Sequence, residues 1–564
     1  MLAVIINGIQ YQSDADITIL ELCKKHDIPI PYLCYHPDLK PLGNCRICVV
    51  EADGRVVSAC NTRIYDGMCI VTQSTNIDRL RKMVVQLMLG NCPEILQENS
   101  DLSRVVAKMN IHATPFKKRQ EKYTDHSAKV LLFDNNKCIM CGKCIQKCQT
   151  VQEVFAIGYS NRGHNTKVGA YLDRDLAHSV CVFCGQCSIS CPSRAIIEND
   201  EVPLILAALK DPTKHVVVQP SPSTRASIGE TQGMAVGSKV TGKLVSCLKA
   251  LGFDRVFDTC FGADLTIVEE GTEVIDRITN NGVLPLITSC SPGWVLFLER
   301  FYPDLIPLLS SCKSPMQMMG ALIKTYYAQC NSIDPKDIVS VALMPCVAKK
   351  FEARRPEMRA SSYQDVDYVL TTREFGEMIT ASGIDFPNLP DTPFDSLMGT
   401  STGAGVIFGS TGGVMEAALR FTADKLENKD LEKVEYYEVR GMRGVKEAHL
   451  TIAGIDLNIA VSNGLANARK LLDLVQKEPS RFHFIEVMAC EGGCIGGGGQ
   501  PQSTCKEIIK QRSEAIYSID KNFSIRKSHK NPEIIKLYKE FLGEPGGHHA
   551  HKLLHTHYTK RNRQ

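Results

Sequence analysis

Two runs of four cysteines constrain this chain more than any other feature: Cys138-Ile-Met-Cys141-Gly-Lys-Cys144-Ile-Gln-Lys-Cys148 and Cys181-Val-Phe-Cys184-Gly-Gln-Cys187-Ser-Ile-Ser-Cys191-Pro192. Each reads Cys-x2-Cys-x2-Cys-x3-Cys, a spacing that lets three thiolates cap one face of an iron-sulfur cubane while the fourth reaches elsewhere. A zinc ribbon needs two cysteine pairs, not two runs of four. The chain holds 24 cysteines in 564 residues, and its start, a short apolar strand and an Asn-Gly turn, does not read as a secretory leader. Clustered thiols in such a chain argue for metal over disulfides.

As in two-cluster bacterial ferredoxins, Cys138, Cys141, Cys144 and Cys191 are expected to hold one 4Fe-4S cluster, and Cys181, Cys184, Cys187 and Cys148 the second. Upstream, Cys34, Cys45, Cys48 and Cys60 form a Cys-x10-Cys-x2-Cys-x11-Cys set suited to a 2Fe-2S cluster, with zinc as the alternative. Short strands at Leu2 to Ile6, Val56 to Ala59 and Met68 to Thr72 and a helix at Ile17 to Lys25 predict a small α+β module around it. Cys23 and Cys69 fall outside the pattern and read as buried apolar residues. Between Thr75 and Ser127 one helical pattern, Ile77 to Leu89, precedes a polar connection whose single cysteine, Cys92, cannot hold a cluster.

Composition narrows the partners. Lys plus Arg total 65 against 62 Asp plus Glu, a net charge of +3, which gives no footprint for nucleic acid or a membrane surface. No apolar run approaches the ~20 residues that span a bilayer. A cytoplasmic chain of three or more domains is expected.

From about Asn199 the pattern becomes α/β. Apolar runs at Val216 to Val218, Val339 to Leu343 and Phe484 to Val487 alternate with helical stretches. Reactive-looking loops accompany them: Thr288-Ser289-Cys290-Ser291-Pro292-Gly293-Trp294, Met344-Pro345-Cys346-Val347-Ala348-Lys349-Lys350-Phe351-Glu352, and Glu486-Val487-Met488-Ala489-Cys490-Glu491-Gly492-Gly493-Cys494-Ile495 running into Gly496 to Gly499. Cysteines at the carboxyl ends of strands lie where α/β folds place ligands, and glycines let backbone approach a bulky inorganic group.

These loops resemble the TSCCPxW, MPCxxKxxE and ExMACxxGCxxGGGxP motifs of the iron-only, or FeFe, hydrogenases, and with the two ferredoxin modules the resemblance covers nearly the whole chain. It implies a multi-domain α+β and α/β protein: a 2Fe-2S ferredoxin-like β-grasp module (1–75), a linker with a degenerate His/Cys cluster region (76–127), a two-cluster 4Fe-4S module (128–205), an iron hydrogenase large-subunit-like catalytic domain (206–504) and a small-subunit-like segment (505–564). It also implies a catalytic 4Fe-4S cubane joined through one cysteine to a two-iron centre with CO, cyanide and dithiolate ligands, which makes or splits dihydrogen. Electrons would come from ferredoxin or flavodoxin, and maturation proteins would supply the two-iron centre.

Position by position, Cys346, Cys490 and Cys494 match cubane ligands, with Cys494 bridging. Lys349 and Ser223 match donors to the two cyanides, while Met344, Met488, Pro222 and Phe408 match apolar neighbours of the irons. Glu270, Glu273, Ser310 and Cys290 match a proton relay. Both glutamates share one face of a helical stretch, Ile267 to Thr279.

The match fails at two places. The family's first loop has two adjacent cysteines, a relay residue and then a ligand, where this chain has Cys290 and Ser291. Either Ser291 ligates the cubane as an alkoxide, or Cys290 turns inward to ligate, or the cubane has three protein thiolates. In the linker, Asn91-Cys92-Pro93-Glu94-Ile95-Leu96 lacks the His-x3-Cys-x2-Cys-x5-Cys cluster of longer members, leaving three accessory clusters. Cys312 reads as core. The His-rich tail (His548, His549, His551, His555, His557) matches the structural small-subunit segment better than a metal-binding tract. A dihydrogen sensor of low activity, an electron-transfer subunit of an NADH-linked complex, and the related iron-sulfur assembly proteins are the competing readings.

Overall fold

The computed structural model describes residues 1–92, 100–118, 123–501 and 505–562. They form two compact units, one of Met1–Gln149, Phe155–Cys181 and Ser190–Ile197, the other of Thr150–Val154, Val182–Ile189 and Glu198–Gln564.

In the first unit, β1 (Leu2–Ile6), β2 (Ile9–Ser13), β3 (Val49–Ala52), β4 (Arg55–Ser58) and β5 (Cys69–Val71) make one sheet in the order β2-β1-β5-β3-β4. β1 and β5 run parallel and the other pairs antiparallel. Asn7 and Gly8 turn the first hairpin with φ of 52° and 85°, as an Asn-Gly turn demands. Helix α1 (Ile19–Lys25) starts where Thr18 and Glu21 cap each other, and buries Ile19, Leu20, Leu22 and Cys23 among Val4, Ile6, Val50 and Ile70. Cys23 is thus core, but Cys69 is exposed, contrary to expectation. Side chains alternate along β5, and it is Ile70 that turns inward.

Helix α2 (Thr75–Asn91) is capped by Ser74, whose hydroxyl accepts from the Ile77 N–H. The connection beyond it is not helix-free as predicted: α3 (Asp101–Lys108) begins at a reciprocal Ser100–Ser103 cap. Leu102, Val105, Val106 and Met109 fall at helical spacing and pack on one core, a short stripe that marks the helix within a polar connection. Of the linker motif, residues 93–96 lie outside the described residues.

The second unit contains β6 (His215–Pro220), β7 (Arg255–Val256), β8 (Leu286–Ile287), β9 (Ile338–Met344), β10 (Tyr368–Thr371), β11 (Val445–Ile452), β12 (Ile455–Asn463) and β13 (Phe484–Met488). One sheet, β7-β6-β9-β10, is parallel throughout. The other, β8-β13-β12-β11, is parallel except for its last hairpin. Residues 216–218 and 341–343 are fully buried, as near-continuous apolar strands of a covered parallel sheet must be. β6, β8, β9 and β13 end immediately before Ser221, Thr288, Pro345 and Ala489 respectively. The three candidate loops, and the Ser221 loop that carries Pro222 and Ser223, therefore leave the carboxyl ends of parallel strands.

Helix α4 (Thr259–Thr279) starts eight residues before the predicted Ile267, because Asp258 caps it at the Cys260 N–H. Every residue from Thr259 to Gly271 is buried. A helix buried on all sides shows no amphipathic period, which is why its first half was invisible. Helices α5 (Pro292–Phe301), α6 (Pro315–Leu322) and α7 (His548–Leu554) also adjoin the candidate loops or the relay. Among the described residues no helix is long and apolar enough to cross a membrane.

Candidate active site

Two of the predicted accessory thiol sets lie together. Cys34 hydrogen-bonds with Cys45 and Cys60, which holds Cys34 well below the usual thiol range; the same contacts push Cys45 and Cys60 up. Cys48 bonds Cys60 in turn. None of the 24 cysteines is in a disulfide, so four buried thiols contending for protons are ready for a cation that accepts all of them as thiolates. In the same unit a cavity of ≈ 400 Å³ is lined by Cys138, Cys141, Cys144 and Cys191, three from the first run and the last of the second. Of the other set, Cys148 and Cys181 belong to the first unit, Cys184 and Cys187 to the second.

A larger cavity of ≈ 590 Å³ opens between the strand-end loops of the second unit. Pro222, Met344, Phe408 and Met488 give it apolar walls; Cys290, Ser291, Cys346, Lys349 and Cys494 supply its polar atoms. Burial, then the neighbouring Cys346 and Cys494 thiols, pushes Cys490 up, and burial likewise raises Cys346 and Cys494, the last to about 12. Thiols so placed stay protonated unless a metal takes them.

Lys349 Nζ donates to the Cys290 carbonyl at 3.2 Å and to Glu352 Oε2 at 2.8 Å. An ammonium has three donors, so one remains for the cavity. The Ser223 hydroxyl is fully buried without a hydrogen-bond partner, as is the side-chain amide of Gln317 in α6, next to the lining residue Met316. Orphaned buried donors are costly unless something polar fills the site. The donor set, thiols with stray N–H and O–H groups in an apolar chamber, fits an iron-sulfur group carrying small anionic ligands. Gln317 was missed in the sequence, where a lone amide in an apolar helix is the only signal.

Cys290 and Ser291 point to different company. The Cys290 thiol is pushed well up by burial, then by Glu270 and Cys494. Ser291 Oγ accepts from the Ala489 N–H at 3.3 Å, one residue before Cys490. Behind Cys290 lies Glu270, 1% exposed, with neither carboxylate oxygen hydrogen-bonded. Burial raises its pKa to about 8; Ser310 lowers it only partly and Glu273 adds to the rise. Glu273, one turn on, accepts from Ser310 Oγ at 3.2 Å and from Arg277 at 2.6 Å. Cys312, read as core, is indeed buried but polar in its surroundings. Its sulfur lies 3.9 Å from Glu273 Oε2 and 4.0 Å from Nδ1 of His555. Sequence spacing gave no reason to join residues 243 apart.

Residues 184–186 of the second Cys run pack against the loops that carry Cys346 and Cys494. A Cβ on Gly498 would fall 2.4 Å from the Cys184 carbonyl, and one on Gly185 2.6 Å from Val347. Only glycine permits that approach. Gln186 Nε2 donates to the Gly496 carbonyl at 2.9 Å, and Arg373 ties Glu198, Ser188 and the Gly498 carbonyl together.

Cavity, thiol sets and buried carboxyl together define an iron-sulfur oxidoreductase in which electrons and protons meet at a dry chamber. Comparison with known proteins gives the particular family. The model of the iron-only hydrogenase large subunit, C-terminal domain, matches residues 214–498, that of the iron hydrogenase small subunit 506–561, and a 2Fe-2S iron-sulfur cluster binding domain 1–75. The chain is 43% identical to NADP-reducing hydrogenase subunit HndD of Solidesulfovibrio fructosivorans, covering all of both chains. It is 43% identical to iron hydrogenase 1 of Clostridium pasteurianum, over 99% of this chain and 100% of that one. A solved FeFe-hydrogenase of Chlamydomonas reinhardtii superposes with a TM-score of 0.58 at 43% identity, covering 64% of this chain and 99% of the other. The chain belongs to the iron-only hydrogenase family, whose members carry a six-iron catalytic cluster and accessory iron-sulfur clusters.

Proposed function

We propose that this chain interconverts protons and dihydrogen, taking two protons and two electrons per dihydrogen in a cytoplasmic setting. The observation that carries the reading is Glu270: a buried carboxyl with no well-formed hydrogen bond, close to Ser310 and electrostatically coupled to a cysteine on the wall of a thiol-lined chamber. When bound, the six-iron group supplies the redox centre at which electrons and protons combine.

The protein's own part divides by residue. Cys346, Cys490 and Cys494 would hold the cubane, and Ser291, whose hydroxyl lies on the Ala489–Cys490 side, would take the fourth position. Cys290 would thereby be left for protons, toward Glu270. Lys349 and Ser223 would offer hydrogen-bond donors to the small ligands of the two-iron centre. Met344, Met488, Pro222 and Phe408 keep water out, which strengthens those bonds. A proton entering at Glu273 passes by Ser310 to Glu270, and from Glu270 to the Cys290 thiol; each group can both accept and donate. The accessory thiol sets would hold the clusters that supply electrons, and the loop of Cys184, one ligand of the last, lies against Gly498.

Ferredoxin or flavodoxin is the electron partner in this reading. The full-length likeness to a protein named as a subunit of an NADP-reducing hydrogenase favours a second one, in which nicotinamide-linked subunits exchange electrons with the same clusters. Protein matured with a synthetic two-iron cofactor should evolve dihydrogen from a reduced viologen, and Cys494→Ala should not. Matured protein that binds dihydrogen but turns over no faster than the variant would make it a sensor.

A further inference from the structure

Beside the relay, the fold builds a second metal-binding constellation outside the catalytic chamber. Ser311 and Cys312 run antiparallel to His555, with Cys312 paired to His555, the Lys313 N–H donating to the Leu554 carbonyl and the Thr556 N–H to that of Ser311, each at 2.8 Å. This bridge fixes a thiol and an imidazole side by side. Glu273 comes from α4, so the donor atoms Glu273 Oε2, Cys312 Sγ and His555 Nδ1 lie within 4.8 Å of one another. Sulfur to nitrogen is 4.0 Å and sulfur to oxygen 3.9 Å. The edges of a tetrahedral zinc site with Zn–S ~2.3 Å and Zn–N or Zn–O ~2.0 Å are roughly 3.5 Å, so the two sulfur edges close with a movement of about half an ångström, and the Glu273–His555 edge, within 4.8 Å, with at most about 1.5 Å.

The tautomer of His555 is the second observation. Its Nε2 lies 2.9 Å from Glu269 Oε2, a fully buried carboxylate that Tyr538 and the Gly546 N–H also hold in place. A carboxylate cannot donate when ionised, so Nε2 carries a hydrogen, and in the neutral ring Nδ1 presents its lone pair toward Cys312, Glu273 and the Ser311 hydroxyl 2.8 Å away. A carboxylate–histidine pair of this kind is the usual support of a metal-bound imidazole. His551, one turn before in α7 and exposed, stacks on His555 with ring centroids 4.4 Å apart, so a single side chain separates His555 from solvent on that side.

We propose that Glu273, Cys312 and His555 form an inhibitory site for a divalent ion of the zinc class, with Ser311 Oγ or water as fourth ligand. Binding releases the Cys312 thiol proton to solvent and engages Glu273. Engaging Glu273 stops proton entry, a consequence that rests on the relay reading above. Loss of the site and loss of that reading are separable in one experiment. Holoenzyme is titrated with zinc ion alone, its zinc-edge X-ray absorption recorded, and its dihydrogen evolution measured, beside Cys312→Ser and His555→Gln variants. The expected result is a site with one sulfur near 2.3 Å and lighter ligands near 2.0 Å, at least tenfold inhibition reversed by chelator, and loss of both in each variant, whose zinc-free turnover shows that it is folded. A sulfur-free zinc shell, or a shell and inhibition unchanged in Cys312→Ser, would overturn the site. The sulfur-containing site without inhibition would uphold the site and refute proton entry through Glu273.

Discussion

Replacing Glu270 by Gln removes the central carboxyl of the proposed relay while keeping its shape. Raising a carboxyl from 4.5 to about 8 corresponds to about 5 kcal/mol against ionising in place. At that value the side chain is about 90% protonated at pH 7 and about 10% at pH 9. Dihydrogen evolution should therefore hold below pH 8 and fall toward tenfold per unit above it. In Glu270→Gln this inflection should vanish, and turnover should drop by roughly 10²- to 10⁴-fold, the range a positioned acid–base group contributes. The assay is gas chromatography of dihydrogen from reduced viologen between pH 5.5 and 9.5, with iron content checked so that cluster loss does not imitate relay loss. Turnover within threefold of the parent, with the same pH profile, would refute the reasoning.

Ser291→Cys should slow chelator stripping of the catalytic cubane by about tenfold, since thiolate suits this iron better than alkoxide. Cys290→Ala should keep the cubane iron and lose turnover; loss of the iron instead would make Cys290 the ligand. Burial alone would raise Glu198, but Arg373 holds it well below the usual carboxylate range, so the pair stabilises above pH 4.5 and its contribution fades as pH falls. Arg373→Ala should cost about 3–5 kcal/mol at neutral pH by stranding that charge, seen as a lower inactivation temperature and less loss on acidification than in the parent. Gly498→Ala, whose Cβ would fall 2.4 Å from the Cys184 carbonyl, should slow reduction of the catalytic cluster in stopped-flow measurements while leaving the 2Fe-2S signal intact.

Much of this was legible in the residues because metal ligation is local. Four-cysteine runs specify a cubane by spacing alone, and the cavity lined by Cys138, Cys141, Cys144 and Cys191 follows the crossed pattern. Strand-end loops were likewise visible, as apolar runs stopping at Cys346 and Cys490. What stayed hidden depends on burial or on long range. The first half of α4 has no polar face to reveal its period, α3 shows only a two-turn stripe of Leu102, Val105 and Val106 inside a polar connection, and Cys69 looked buried because alternation in a three-residue strand has two phases. His555 meets Cys312 across 243 residues, a contact that neither motif nor charge pattern announces. The Cys290–Ser291 choice also needed geometry, since only the Ala489 hydrogen bond and the Glu270 field separate the two side chains.

Infrared spectroscopy of protein matured with the two-iron cofactor tests the central assignment most directly. The account predicts CO and cyanide bands, with one cyanide band shifted by Ser223→Ala and the other by a Lys349 variant that still retains the group. Absence of the bands from protein whose iron content shows an intact cubane would contradict it.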